Sequence, residues 1–140
     1  MTQIRLENEA ATVAFAKKLA NEIRPGQVIA LSGELGAGKS VFARALMRAL
    51  GVTDEALPSP TFALIQTYDG IGCQVSHMDW YRLDDAEEIE MLGVRDYFQP
   101  PWVSIIEWPE RAPSILPSDT IRIEITTDPA DFELRFLFKS

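Results

Sequence analysis

This sequence predicts an α/β fold, a sheet with flanking helices and an additional C-terminal antiparallel β hairpin, on three observations. The apolar run "VIAL" (residues 28–31) leads into a glycine-rich loop that opens an amphipathic helix. Two more apolar runs, "CQVSHMD" and "WVSIIE", each end on an acid. The tail segments "TIRIEITT" and "FELRFLF" alternate apolar and polar residues, the period of a strand with one wet face.

The elements come in this order. "TQIRLE" alternates well enough for a short edge strand. From Asn8, a possible cap, Val13, Ala16, Leu19, Ala20 and Ile23 share one helical face, and "RPG" at 24–26 ends that helix. "VIAL" is a short continuous apolar run, as expected of a strand buried on both faces. Residues 40–50 read as a helix with Phe42, Ala45, Leu46 and Ala49 inward, closed by Gly51. The two prolines of "LPSPTF" impose a loop. "ALIQTYDG" and "CQVSHMDWY" then form two strands joined by a glycine-containing turn. Asp84 can cap the short helix "DAEEIEML", which Gly93 terminates, and "WVSIIEW" is another buried strand. With 140 residues and no repeat or Gly/Ser linker, the expectation is one domain over residues 1–140.

Composition narrows the function. One cysteine, Cys73, excludes an internal disulfide and fits a reducing cytoplasm; with a single His beside it, a zinc site is disfavoured. No apolar stretch reaches the ~18 residues of a membrane span, and the N-terminal residues lack the basic-then-apolar pattern of a signal peptide. Thirteen basic against 21 acidic side chains give a net charge of −8. Nucleic-acid affinity draws on neutralised phosphates, so any role on RNA is expected to run through a partner.

Residues 33–40, "GELGAGKS", satisfy G-x-x-x-x-G-K-[ST]. Gly33, Gly36 and Gly38 let backbone N–H groups turn inward around phosphate oxygens, and the helix N-terminus adds its dipole. In this pattern Lys39 reaches the β and γ phosphates and the Ser40 hydroxyl ligates Mg²⁺. The position between a buried strand and a helix is the confirming context, and makes the sheet P-loop NTPase-like. Ligands of open α/β sheets sit beyond the carboxyl ends of the strands. Asp79 and Glu107 end two strands and are candidates to face phosphate and metal; simple strand-capping is the alternative for each. Thr61, in "SPTF", occupies the place of a switch loop, with a plain proline-stiffened turn equally open. His77 is either polar support for Asp79 or a satisfied, half-buried histidine. Trp108 is either near the nucleotide or core. Only two asparagines occur, neither followed by Lys, so the guanine-reading N-K-x-D motif is absent. The arginine-rich lid of a small-molecule kinase has no counterpart.

Four motifs in order, "GELGAGKS", "SPTF", "HMDWYRL" and "IEWPE", closely resemble the bacterial TsaE (YjeE) family of small P-loop ATPases. The resemblance covers roughly residues 8–110. It implies ATP phosphates on Gly33, Gly36, Ala37, Gly38, Lys39 and Ser40, with Asp79 as the nucleotide-site aspartate. It implies Mg²⁺ at Ser40 and Glu107, Thr61 as a switch threonine, and a catalytic role for Glu107, Lys39 and Thr61. Trp108 resembles the tryptophan after the family's Walker B acid. This chain has Ser40 where the family usually has Thr, Glu34 where Asp is usual and Trp80 where Leu is usual. The family's work is accessory: with the TsaB–TsaD heterodimer it supports formation of N6-threonylcarbamoyladenosine at position 37 of tRNA. The resemblance thus implies a cytoplasmic, Mg-dependent ATPase, slow without its protein partners and contacting tRNA only through the complex. A small-molecule phosphotransferase and a non-enzymatic nucleotide-dependent module are the competing readings.

Overall fold

The computed structural model describes every residue except Met1, Leu35, Ser59, Thr61, Phe62 and Ala63, and the side chain of Phe132. Chain order is β1 (Thr2–Leu6), α1 (Glu9–Ala20), β2 (Val28–Ser32), α2 (Lys39–Ala49), β3 (Ile65–Asp69) and β4 (Gln74–Asp79). Then come α3 (Ala86–Met91), β5 (Trp102–Glu107), β6 (Ile121–Asp128) and β7 (Asp131–Lys139). All seven strands join one sheet in the order β1-β7-β6-β2-β5-β4-β3. The middle four, β6, β2, β5 and β4, run parallel, while β3, β7 and β1 are antiparallel to their neighbours.

The parallel centre explains the apolar runs. In β2, Ile29 and Leu31 join Leu19, Phe42, Leu46 and Met47 on the side of α1 and α2. Val28 and Ala30 point the other way, into a second core with Met78, Trp80, Ile89 and Ile106. A strand covered on both faces carries no polar side, so its sequence shows no alternation. β6, the last of the parallel strands on its side, alternates: it buries Ile123 and Ile125 while Arg122 and Glu124 face water.

The expected C-terminal hairpin forms, β6 pairing antiparallel with β7, and it is part of the main sheet, since β6 also pairs in parallel with β2 from Ile29↔Ile121 to Ser32↔Glu124 and β7 carries β1 at the sheet edge. Expectations for the helices are corrected in detail. On α1 the buried positions are Thr12, Ala16 and Leu19. Phe15 packs against that core from the same helix. Asn8 does cap α1, its Oδ1 accepting from Ala11 N at 2.9 Å. α2 begins at Lys39 and buries Phe42, Ala43, Leu46 and Met47, with Ala45 partly buried against the same core, so Ala43 and Met47 are the inward positions the periodicity left out. The cap of α3 is Asp85, whose Oδ1 accepts from Glu88 N at 2.9 Å, with Asp84 one residue upstream. Gly93 follows α3 at φ 71°, a left-handed turn that glycine adopts without a Cβ clash.

Ile105 lies in the sheet centre with no exposed surface. Ile105→Ala is expected to lower unfolding free energy by about 2–5 kcal/mol through lost burial and an unfilled cavity. Urea denaturation measures this, and a loss below about 1 kcal/mol would contradict the packing.

Candidate functional site

The parallel register brings three strand ends to one level. Leu31 of β2 pairs with Glu107 of β5, and Glu107 pairs with Asp79 of β4. The glycine loop leaves β2 just beyond this level and returns into α2, so Lys39 and Ser40 start their helix beside the two acids.

The loop's backbone requires its glycines. Gly33 sits at φ 146°, and a Cβ there would lie 2.5 Å from the Ile125 carbonyl oxygen, inside any allowed contact. Gly38 sits at φ 98° as the residue that opens α2, and no side chain caps that helix. The first N–H groups of α2 are therefore left for an external acceptor, which is how a helix N-terminus receives an anion.

Lys39 is only 5% exposed. Its ammonium donates to the Gly33 carbonyl at the loop's own entrance. It also lies 3.5 Å from the centroid of the Trp108 ring, within cation–π range. Burial pushes its pKa below the usual lysine range, against the opposing pull of Glu107, Glu110 and Asp79. Trp108 has a left-handed backbone, φ 60°. That conformation costs a non-glycine residue about 1–3 kcal/mol. It turns the chain sharply after β5 and lays the indole beside the Tyr81 ring, with centroids 4.8 Å apart.

Glu107 is the most constrained acid. It is 3% exposed. One oxygen, Oε1, accepts from the Ser40 hydroxyl at 3.2 Å, and the other, Oε2, meets His77 Nε2 at 2.6 Å. His77 is not the half-buried, satisfied residue expected: it is 1% exposed, and its Nδ1 has no hydrogen-bond partner among the described residues. Asp79 is more open, and its Oδ1 accepts from Tyr81 N at 2.9 Å. Burial raises its pKa; the Tyr81 N–H opposes that rise, and Glu107 adds to it.

A cleft of about 500 Å³ collects Gly36, Gly38, Lys39, Ser40, Asp79 and Glu107, with Trp108 on its wall. Gly33 and Ala37 line an adjoining cavity of about 620 Å³ that shares Gly36 and Trp108 with this cleft. Every site residue expected from the sequence meets here except Thr61, which lies outside the described residues. Sequence reasoning missed Arg135, which comes from β7 to donate from Nε to the Ala37 carbonyl at 3.0 Å. Its only sequence signal is a basic residue inside a strand pattern, and the register that carries it to the loop is not local. Asn8, Glu9 and Thr12 border a smaller cleft with Gly38 and Arg135.

Fold and site together define a mixed α/β protein in which a phosphate-loop sequence joins a central parallel strand to a helix facing two strand-end acids. The family model for "Threonylcarbamoyl adenosine biosynthesis protein TsaE" matches residues 6–134, past the last of the four motifs and through β6. Two relatives carry the name tRNA threonylcarbamoyladenosine biosynthesis protein TsaE. The one from Haemophilus influenzae is 34% identical over 125 residues, 86% of this chain and 78% of the relative. The one from Bacillus subtilis is 38% identical over 121 residues, 86% of this chain and 75% of the relative. The crystal structure of Bacillus subtilis YdiB matches with a TM-score of 0.79 at 31% identity, over 99% of this chain and 84% of that one. The chain belongs to the TsaE family. Among the described residues, no helix is long and apolar enough to cross a membrane.

The Asp79 shift has a stability consequence. A carboxyl whose pKa is raised by folding holds its proton longer in the native state, so its penalty is absent below the unfolded value of 3.8 and develops as pH rises through the folded value. Asp79→Asn keeps an acceptor for Tyr81 N and removes the half-buried charge. It is expected to raise the urea midpoint at pH 7, with the gain shrinking as pH falls below 3.8. Denaturation at a series of pH values checks this; a gain that grows in acid contradicts the sign.

Proposed function

We propose that this chain is an ATP-binding and ATP-hydrolysing accessory subunit for forming N6-threonylcarbamoyladenosine at position 37 of tRNA, acting with the TsaB–TsaD heterodimer in the cytoplasm. The observation that carries it is the convergence of Lys39, Ser40 and Glu107 at the ends of β2 and β5, in a family named for that tRNA modification.

The chemistry assigned to each residue comes from its surroundings. Backbone N–H groups at Gly36, Gly38, Lys39 and Ser40 face the phosphates, with the Ala37 N–H closing the loop on the Glu34 carbonyl at 3.0 Å and Gly33 turning its entrance. Lys39 exchanges its contacts with the Gly33 carbonyl and the Trp108 ring for phosphate oxygens. Ser40 and Glu107 fit Mg²⁺, because a hydroxyl and a carboxylate already within hydrogen-bond distance supply the hard oxygen donors that this ion prefers. No group of three or more His, Cys, Asp or Glu side chains among the described residues forms a cage by itself. Mg²⁺ suits such a site, since it keeps waters and takes one or two protein ligands plus substrate phosphates. When bound, it supplies charge neutralisation on the transferred phosphoryl group. Asp79, with a pKa raised by burial, stands at the same level and orients polar groups at the phosphate end. Thr61 is assigned the switch role by its motif alone.

Glu107 accepts hydrogen bonds at both oxygens, an arrangement suited to holding a ligand in place and poorly suited to abstracting a proton. The barrier is therefore expected to stay high until a partner adds a charge, as trans-acting arginines do for related phosphoryl transfers. The net charge of −8 suits docking on protein better than gripping tRNA.

Hydrogen bonds to charged groups are worth about 1.5–3 kcal/mol, so Lys39→Ala is expected to weaken ATP binding by about 10- to 150-fold in calorimetric titration. Wild-type affinity in that variant would sink the phosphate-loop role. Glu107→Ala is expected to bind ATP yet lose hydrolysis stimulated by TsaB and TsaD; unstimulated wild-type protein in the same mixture argues against the partnership. For the pathway, tRNA from cells lacking the chain is expected to lose threonylcarbamoyladenosine, read by nucleoside mass spectrometry. Unchanged levels rule the pathway role out where no paralogue is present.

A further inference from the structure

His77 is buried and polar, and it lines none of the nucleotide cleft. It lies on β4, two residues before Asp79, on the face that looks toward α2. Its register partner on β5 is Ile105, which places it diagonally from Glu107. Cross-strand diagonals of this kind bring long side chains within reach. Nε2 stands 2.6 Å from Glu107 Oε2. Nδ1 is buried with no hydrogen-bond partner among the described residues. The network assigns the tautomer: with the hydrogen on Nε2 the ring donates to the carboxylate and leaves only a lone pair at Nδ1, whereas the reverse would bury an unpaired N–H.

An imidazole with one satisfied nitrogen is a costly way to fill a core position. The neighbouring inward residue on β4, Val75, is apolar and fully buried. Replacing a half-satisfied polar group by an apolar one of similar shape is close to neutral or stabilising when its partner does not suffer. Here the partner does suffer. Glu107 is buried, and without His77 its Oε2 has no donor among the described residues, so the carboxylate is free to rotate away from Ser40.

We propose that His77 is a positioning residue for the nucleotide-bound divalent cation: its Nε2–H holds Glu107 Oε2 so that Oε1 is presented to the cation beside the Ser40 hydroxyl. The assignment rests on the metal role proposed for Glu107. His77 itself touches neither nucleotide nor metal. Its place is that of the outer partner that orients a ligating carboxylate, and loss of such a partner weakens metal binding without abolishing it.

The test uses the full-length chain loaded with ADP and reads Mn²⁺ affinity from the electron paramagnetic resonance signal of the free ion. His77→Leu removes the donor, His77→Asn retracts it, and His77→Gln places an amide nitrogen near the position of Nε2. His77→Leu and His77→Asn are expected to weaken Mn²⁺ binding about 10-fold or more, with ADP affinity in EDTA within about twofold of wild type. His77→Gln is expected to recover to within about threefold of wild type, a rescue that general loosening of the core does not produce. Circular dichroism establishes folding; if the leucine variant does not fold, the Asn–Gln contrast decides. Wild-type Mn²⁺ affinity in folded His77→Asn, or equal losses in Asn and Gln, would overturn the proposal. Glu107→Ala separates the two levels. If it too keeps wild-type Mn²⁺ affinity, the metal role of Glu107 fails and the positioning role falls with it. If it weakens binding while His77→Asn does not, only the positioning role fails.

Discussion

The Glu107 carboxylate is the joint on which the site is built. It ends β5, accepts from Ser40 in the first turn of α2, and meets His77 on β4. It thereby ties two neighbouring strands and a helix together through one buried acid. A buried carboxylate is tolerated only where its oxygens find donors, and its neighbours supply both. The attachment is directional: hydrogen bonds at both oxygens set the plane of the carboxylate as well as its position. The stiffness of that plane comes from the sheet, because β5 is flanked by parallel neighbours on both sides and packed on both faces.

Much of the fold was legible because burial writes itself into a sequence as period. "VIAL" and "WVSIIE" lack alternation because both of their faces are covered, and β6 shows it because one face is wet. The glycine loop was legible because its backbone admits few residue types. At Gly33 a Cβ would strike the Ile125 carbonyl, so the sequence reports the geometry directly. What stayed hidden depended on pairing at a distance. The joining of β6 to β2 closes a separation of roughly ninety residues, and nothing local in "TIRIEITT" says that this half of the hairpin also pairs in parallel with a central strand. Arg135 is hidden for the same reason, since its contact with Ala37 spans 98 positions. His77 was misread because spacing along β4 relates it to Asp79, whereas its partner sits on the adjacent strand.

The electrostatics of the site resolve an apparent contradiction between the chain's charge and the anionic ligand proposed for it. A chain with net charge −8 repels polyanions in bulk, and that repulsion is screened over about 10 Å at moderate salt. Inside the loop the balance reverses. Uncapped N–H groups, a buried ammonium and a helix dipole act at contact distance, where screening has little effect. The acids nearby are already engaged, Glu107 by Ser40 and His77 and Asp79 by the Tyr81 N–H.

Lys39 shows how such a site is kept in readiness. Its ammonium is nearly buried, its pKa is pulled down by that burial, and its contacts are a carbonyl of its own loop and the face of Trp108. Neither contact matches a phosphate oxygen in charge, so the arrangement holds the side chain without competing strongly for it. The strained turn at Trp108 then has a physical role: it sets an aromatic face where the ammonium rests, and a relaxed backbone after β5 would carry the indole elsewhere. Strain at Trp108, the missing cap at Gly38 and the desolvated ammonium of Lys39 are each unfavourable for the isolated chain. All three lie around one cleft, and a bound anion relieves the last two. Stability given up at the loop is thus available as binding free energy to an anion, and the proposed phosphate ligand has the charge and oxygen count to draw on both.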